Sequence, residues 1–165
     1  MKILITGGKS ALTLKALNVF AAHEVLLADY GEVPAFSSSN YRFVSLGELN
    51  EDTIAHKILN VCLDEQVDLV IPFQAFEVVP IAKAKLLFEE FNVKVLLPTQ
   101  DFLSDYFDGN KFASKTDWVV YLDGEIIFNN SDDFIAAKLE MPMGLDGIFS
   151  FISKDGVAKL MLITI

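Results

Sequence analysis

A glycine turn between an apolar strand and an apolar helix contains the residues of this chain that could do chemistry. The strand is Lys2–Thr6, and Gly7, Gly8, Lys9 and Ser10 follow it directly. Two glycines let the backbone turn sharply, and Ser10 is a typical N-cap for the helix that begins after it. Because the first amides of a helix point towards an anion, the turn predicts a site for a small anionic ligand.

An acidic residue, Asp29, follows the second apolar strand, which runs from Glu24 to Ala28. In dinucleotide-binding domains an acid about 20 residues after the glycine turn binds a ribose hydroxyl. The glycine spacing of those domains would also require glycine in place of Ser10 and Thr13, and a P-loop would require glycine at Ile3. The chain also lacks the Tyr-x-x-x-Lys pair of short-chain dehydrogenases. An atypical nicotinamide-dependent oxidoreductase is therefore only a second alternative.

A third stretch completes the predicted site. The segment from Asp68 to Phe73 is an apolar run, as expected for a parallel strand that is covered on both faces. The loop after this strand contains Gln74 and Glu77. Because the carboxyl ends of parallel strands meet at one edge of a sheet, we expect Gln74 and Glu77 to lie beside the glycine turn, in a crevice at the switch point of the sheet.

The elements that must position these residues follow the order β-α-β-β-α-β-α-β over residues 1–98. This order predicts a doubly wound, mostly parallel α/β sheet of the Rossmann-like type. The first helix is predicted from Ala11 to Ala22. A later helix is predicted from Glu77 to Phe91, with Leu86 on its buried face, and the last strand from Lys94 to Leu97.

The chain changes character after this first domain. Residues 99–116 are predicted as a helical linker, and residues 117–165 as a small C-terminal α+β module with antiparallel pairing. The dipeptide Asp-Gly between alternating apolar runs favours a β-hairpin, and it occurs twice in the module. A helix is predicted between the hairpins, from Ser131 to Leu139, and the final strand from Ala158 to Ile165.

The composition excludes several classes of partner. The 165 residues include 23 acidic and 13 basic side chains, which give a formal charge of -10. Such a surface repels nucleic acid and anionic lipid, so we expect neither nucleic acid nor a membrane as a partner. One cysteine, Cys62, and two scattered histidines, His23 and His56, allow no disulfide and no zinc cluster. Cys62 lies on the predicted buried face of a helix, and the cytoplasm is the expected location.

Six stretches occur in a fixed order over residues 2–115. They are Lys2 to Gly8, Val25 to Asp29, Tyr41 to Val44, Asp68 to Pro72 with Glu77, Val93 to Pro98, and Gly109 to Ala113. This ordered set resembles the N-terminal domain of ATP-grasp proteins of the carbamoyl-phosphate-synthase-like and biotin-carboxylase-like groups. The last stretch looks like a family segment whose lysine approaches the ATP phosphates. The resemblance therefore implies that role for Lys111 and implies ATP as the cofactor to consider.

Two family features are missing from the C-terminal module. In the family, the strand corresponding to Leu160 to Ile165 ends in an acid and an asparagine that hold magnesium, and the strand corresponding to Val119 to Leu122 carries a nucleotide-binding lysine. Neither stretch has these residues here. Phosphoryl transfer depends on metal and cationic charge, so the resemblance implies no catalytic residues and no metal site.

We therefore expect an ATP-grasp-related protein that is not catalytic alone. It would act as a ligand-binding or interaction module, which a separate ATP-grasp chain could use. The first alternative is one half of a split ATP-dependent carboxylate-amine ligase, whose other half lies on another polypeptide.

Two apolar surfaces predict a homodimer. The helix from Ala11 to Ala22 carries one charge, Lys15, and the final strand is almost wholly apolar. A symmetric dimer would bury one of these surfaces. The competing expectation is that the C-terminal module folds back over the first helix and covers both.

Overall fold

The first sheet is parallel, as predicted. The computed structural model describes residues 1–112, 117–132, 134, 144–154 and 157–165. The strands of the sheet are β1 (Lys2–Thr6), β2 (Glu24–Asp29), β3 (Tyr41–Ser45), β4 (Leu69–Ile71) and β5 (Lys94–Val95). Their order is β3-β2-β1-β4-β5, and every neighbouring pair is parallel. The mostly parallel α/β fold is confirmed, and the carboxyl ends of β1, β2 and β4 meet at one edge of the sheet.

The helices differ from the prediction mainly in length. Those described are α1 (Ala11–Ala16), α2 (Ile54–Asp64), α3 (Ala75–Lys83), α4 (Lys85–Glu90) and α5 (Gln100–Tyr106), with a 3-10 turn at Glu51–Thr53. No helix in this part of the chain is long and apolar enough to cross a membrane.

The first helix ends at Ala16 rather than at Ala22. Beyond Ala16, the amides of Asn18, Val19 and Phe20 each donate to the carbonyl three residues back. The chain therefore continues in tighter turns of the 3-10 kind, and the predicted length of this helix was wrong.

The helix predicted from Glu77 to Phe91 is two helices, α3 and α4, that meet at Ala84. The ψ angle of Ala84 is 4°, which interrupts the helical register. As a result Leu86, predicted to be buried, is 75% exposed, so this part of the prediction was wrong.

The second sheet is antiparallel and confirms the predicted type of module. Its order is β7-β6-β8-β9, with strands β6 (Trp118–Leu122), β7 (Glu125–Asn129), β8 (Gly147–Lys154) and β9 (Val157–Leu162). The first hairpin turns at Asp123 and Gly124, whose φ angles of 57° and 79° are those of a type I′ turn. The second turn and most of the helix predicted from residue 131 to residue 139 lie outside the described residues. The last strand ends at Leu162, three residues earlier than predicted.

The two sheets share their hydrophobic cores. Successive residues of β6 enter two different clusters. Val119 and Tyr121 belong to the cluster that also contains the buried residues of α2 and α3, while Trp118 and Val120 belong to the cluster that contains Phe20. Both faces of β6 are therefore buried, and the C-terminal module is part of the same packed body as the parallel sheet.

The C-terminal module also lies against the first helix. The ammonium group of Lys15 lies 4.9 Å from the centre of the Trp118 ring, and Ala16 shares a core cluster with Trp118. This is the folded-back arrangement that competed with the homodimer. The homodimer itself, and the domain boundaries after residues 98 and 116, stay predictions.

A buried ion pair joins the two sheets on the other side. Lys85 of α4 lies 3.0 Å from a carboxylate oxygen of Asp146, just before β8, and both side chains are buried. The Lys85 ammonium also donates to the carbonyl of Leu97, and the second Asp146 oxygen accepts the amide hydrogen of Asp123. Each charged group therefore has more than one partner.

Candidate functional site

The glycine turn has the sharp geometry that the sequence predicts. Gly7 has a φ of +69°, which favours glycine, and a Cβ at Gly7 would overlap the side chain of Ile165. Gly8 is required for a different reason. A Cβ at Gly8 would stand 2.8 Å from the backbone carbon of Leu27, so only glycine lets the turn lie this close to β2.

The amides of the turn are bound within the protein. Gly8 donates to the carbonyl of Ala28, Lys9 donates to the Asp29 carboxylate at 3.0 Å, and Ser10 donates to the carbonyl of Gly7. The predicted N-cap is confirmed, because the Ser10 hydroxyl accepts the amide hydrogen of Leu12. These bonds hold the turn in place, and the anion site stays a prediction.

The carboxylate of Asp29 is bonded to neighbouring groups through both of its oxygens. One carboxylate oxygen accepts the amide hydrogen of Lys9, and the other accepts that of Tyr30 at 2.8 Å. The Gln74 amide group approaches the second oxygen at 3.5 Å, and the Lys9 ammonium lies 3.7 Å from it. The Lys9 ammonium also donates to the carbonyl of Tyr30. Asp29 thus connects the glycine turn to the end of β2 and to the loop after β4.

Glu77 is fully buried at the first turn of α3. One of its carboxyl oxygens accepts a hydrogen bond from the Thr6 hydroxyl, and that hydroxyl in turn accepts the amide hydrogen of Phe73 at 2.9 Å. The other oxygen, Oε1, has no hydrogen-bond partner, and neither has the buried hydroxyl of Tyr30. The two groups nevertheless lie near enough for each to shift the pKa of the other.

Burial raises the pKa of Glu77 to about 7, from an ordinary value of 4.5. The hydrogen bond from Thr6, the nearby phenol of Tyr30 and the backbone of Gln74 lower this pKa, and the negative charge of Asp29 raises it, but the loss of solvation on burial is the largest cause. Burial, together with the charge of Glu77, also raises the pKa of the Tyr30 phenol, so that group stays protonated at neutral pH.

The crevice at this edge of the sheet is occupied by the chain itself. The amide of Ile165 donates to the carbonyl of Phe73 at 2.8 Å, and the carbonyl of Ile165 accepts the amide hydrogen of Ala75 at 3.1 Å. The Ile165 side chain lies over the Gly7 turn. Residues 163–165, which we name the crevice segment, therefore fill the place where a ligand was predicted.

A second stretch of backbone holds the crevice segment from its other side. The amide of Thr164 donates to the carbonyl of Phe112 at 2.9 Å, and the Thr164 hydroxyl accepts the amide hydrogen of Phe112 at 3.0 Å. The same hydroxyl lies 3.3 Å from the carbonyl of Asn110. Lys111 thus lies beside the crevice segment with its side chain exposed.

The structure brings all of the predicted residues to one region. The glycine turn, Asp29 and Gln74 contact one another directly, Glu77 lies beneath the loop after β4, and Lys111 lies on the far side of the crevice segment. Sequence reasoning missed four residues that complete the region: Thr6, Tyr30, Thr164 and Ile165. Thr6 and Tyr30 carry a signal that could have been used, because each is a hydroxyl residue at the end of a predicted parallel strand.

Open grooves on the surface lie elsewhere. One of about 310 Å³ runs between Leu86 of α4 and Gln100 of α5, and one of about 240 Å³ lies between Leu14 of α1 and Tyr41 of β3. None of the predicted site residues lines either groove.

Cys62 has the buried position that the sequence predicts, whereas His23 lies beyond the end of α1. Cys62 is buried in the core, and burial raises the pKa of its thiol to about 12. His56 is exposed on α2, and His23 is half-buried. Within the described ranges, no group of three or more His, Cys, Asp or Glu side chains could hold a metal ion.

Neither a protein-family model nor a curated protein sequence matches this chain. The likeness to ATP-grasp proteins therefore rests on the order of motifs in the sequence.

Proposed function

We propose that this chain is an ATP-grasp-related protein that is not catalytic alone and acts as an interaction module in the cytoplasm. The relation to ATP-grasp proteins rests on the order of motifs in the sequence. The observation that carries the interaction role is the crevice segment, which lies at the carboxyl ends of the parallel strands with backbone hydrogen bonds on both sides. In peptide recognition of this kind, main-chain hydrogen bonds supply affinity and a contact with one side chain supplies specificity. Ile165 is that side chain here.

The charges around the crevice support recognition of an apolar segment rather than of a phosphate. Asp29 and Glu77 are both acidic groups at this edge of the sheet. The ammonium of Lys9 already interacts with Asp29 and with the carbonyl of Tyr30. A phosphate bound at the turn would have to compete for these groups and would lie close to a carboxylate.

The occupant that fits the crevice is an extended, apolar stretch of chain. In this structure it is the crevice segment of the same molecule. In an assembly it would be an equivalent segment of a partner, such as a separate ATP-grasp chain, exchanged for the internal one.

A peptide added in solution tests this recognition. The variant Ile165→Gly removes the side chain over the glycine turn and should weaken the binding of the crevice segment in the crevice. The probe is a peptide with the sequence of residues 158–165, preceded by two lysines for solubility. In isothermal titration calorimetry this peptide should bind the variant more tightly than it binds the unmodified chain. The matched control is Ile126→Gly, which changes an exposed isoleucine of β7 and should behave as the unmodified chain does. Absence of binding to Ile165→Gly would reject the peptide-recognition function.

A turnover assay tests the absence of catalysis. With ATP and magnesium, we expect no release of phosphate or ADP above a control without protein, and no change in Lys111→Ala. Release that is lost in Lys111→Ala would instead support the alternative of a split ligase, since that lysine is the one the resemblance assigns to ATP.

The homodimer is part of the proposal and has a separate test. Ala16 of the first helix shares a core cluster with Trp118, while β9 is the edge strand of the second sheet among the residues that the structure describes. Edge strands that are apolar associate readily, so β9 is the surface for this dimer. Light scattering at tens of micromolar protein should give twice the chain mass of 18.3 kDa, and a mass of 18.3 kDa would reject the dimer.

A further inference from the structure

A continuous set of hydrogen bonds links the buried carboxyl of Glu77 to the crevice segment. The Thr6 hydroxyl donates to Glu77 and accepts the amide hydrogen of Phe73. The carbonyl of Phe73 accepts the amide hydrogen of Ile165. The backbone of Phe73 is therefore held by the Glu77 cluster at one end and holds the crevice segment at the other.

The first turn of α3 adds a second link. The amide of Glu77 donates to the carbonyl of Gln74, and the amide of the intervening Ala75 donates to the carbonyl of Ile165. A movement of the Glu77 backbone towards water would therefore displace the short loop, Phe73 to Ala75, that makes both backbone bonds to Ile165.

We propose that the protonation state of Glu77 controls how firmly the crevice segment is held, so that the neutral carboxyl keeps the crevice closed and the carboxylate loosens it. The inference rests on the proposed function, since it concerns regulation of the same crevice. Its physical cause is solvation. A neutral carboxyl is tolerated in this apolar place, whereas a carboxylate with an unbonded oxygen needs water or a new donor.

The groups that face Glu77 determine the direction of the effect. They are Thr6 from β1, Asp29 and Tyr30 from the end of β2, and the backbone of Gln74, the N-cap residue of α3. Asp29 is the charged group among them, and it repels a carboxylate at Glu77. The phenol of Tyr30 can donate one hydrogen bond to that carboxylate and so limits its cost, while the neutral carboxyl can donate to the same phenol oxygen.

The pH range follows from these surroundings. Because burial raises the pKa of Glu77 to about 7, its charge changes in the neutral range, where the phenol of Tyr30 remains protonated. Closure should be complete at mildly acidic pH and should weaken as the pH rises through 7.

Amide hydrogen exchange of the full chain tests the inference. The exchange rates of the Ala75 and Ile165 amides are measured by NMR from about pH 5.5 to about pH 8.5. After correction for the intrinsic pH dependence of exchange, the protection of both amides should fall by roughly tenfold or more, with a midpoint near 7. The amide of Leu96, which donates to Val70 inside the parallel sheet, is the internal reference and should keep its protection.

Three variants test whether Glu77, rather than another titrating group, causes the change in amide protection with pH. In Glu77→Gln the protection of Ala75 and Ile165 should not change with pH. In Tyr30→Phe the carboxylate loses the phenol that could donate to its unbonded oxygen, so the midpoint should move to higher pH. Glu90→Gln, which changes an exposed glutamate of α4, should behave as the unmodified chain does.

Constant protection in the unmodified chain, the same loss in Glu77→Gln, or an equal loss at Leu96 would each overturn the inference. If Glu77→Gln does not fold, the carbon-13 shift of the Glu77 carboxyl in the unmodified chain replaces it. A carboxyl midpoint that differs from the midpoint of amide protection would then overturn the inference. These outcomes are distinct from failure of the proposed function, which is read from peptide binding at a single pH.

Discussion

Two buried acidic side chains connect the C-terminal part of the chain to the parallel sheet, and they are satisfied in different ways. Asp146 has the Lys85 ammonium at 3.0 Å on one oxygen and the amide hydrogen of Asp123 at 2.7 Å on the other. Glu77 bonds to a neutral hydroxyl on one oxygen and has no partner on the other. No ion pair among the described residues includes Glu77.

The difference shows what a cation does for a buried carboxylate. Near Lys85, the ammonium group compensates the charge of Asp146 within a buried ion pair that connects α4 to the second sheet. Near Thr6 and Tyr30, the charge of Glu77 is not compensated, and burial raises its pKa to about 7. The first contact is an ion pair between two charged groups, whereas the second has no cation, and its strength should depend on the protonation state of Glu77.

The largest effect is expected from Lys85→Met, because it leaves the carboxylate of Asp146 buried without its cation. The free energy of unfolding at neutral pH should fall by about 3–5 kcal/mol in urea denaturation. The double variant Lys85→Met with Asp146→Leu removes both charges and should recover much of the loss. A loss below about 1 kcal/mol in the single variant would mean that Asp146 is solvated and that the two regions do not differ in this way.

The next effect is the pH dependence of stability caused by Glu77. Because its pKa in the folded protein is raised to about 7 from 4.5, its contribution is fully present below pH 4.5 and is lost as the pH rises through 7. The free energy of unfolding should fall by about 3 kcal/mol over this pH range, relative to Glu77→Gln, which has no carboxyl to titrate at this position. Urea denaturation of both proteins over this range measures the difference. Parallel pH profiles for the two proteins would show that Glu77 does not titrate in the folded state.

A smaller effect is expected from Gly8→Ala, which tests the close contact between the glycine turn and β2 without changing a charge. The added Cβ would stand 2.8 Å from the backbone of Leu27, so β2 must shift to accept it. We expect a loss of about 1–3 kcal/mol in thermal or urea denaturation at every pH. If the loss of stability in Gly8→Ala instead changed between pH 4.5 and pH 7, as the contribution of Glu77 does, the close contact at Gly8 would affect the titration of Glu77.

The smallest effect is expected from Lys94→Met. Lys94 of β5 pairs with Asp123, so this ion pair also joins the two sheets, but the Asp123 side chain is mostly exposed. The free energy of unfolding should fall by no more than about 1 kcal/mol, and added salt should reduce the difference. A loss as large as that of Lys85→Met would contradict the view that burial, rather than the joining of the sheets, makes the Lys85 pair important.

Much of the fold follows from local features of the sequence. Apolar runs that end in turn residues predict β1, β2 and β4, and the order of strands and helices predicts a parallel sheet. Ser10 predicts the N-cap of α1, and the Asp-Gly dipeptide at Asp123 predicts the first hairpin. These features act between residues that are close in the chain, so a single sequence is enough to read them. The errors at Ala16 and Ala84 are helix ends, where several local conformations differ little in energy.

The region around the glycine turn was predicted by the rule that parallel strands end together, but its contents were decided by tertiary structure. The Thr6–Glu77 bond spans 71 residues, and the Lys85–Asp146 pair spans 61 residues. No local pattern indicates which polar groups meet across such distances, because the meeting depends on how the second sheet packs on the first. For the same reason the sequence does not indicate that residues 163–165 lie in the crevice, where Ile165 bonds to Phe73 and Ala75.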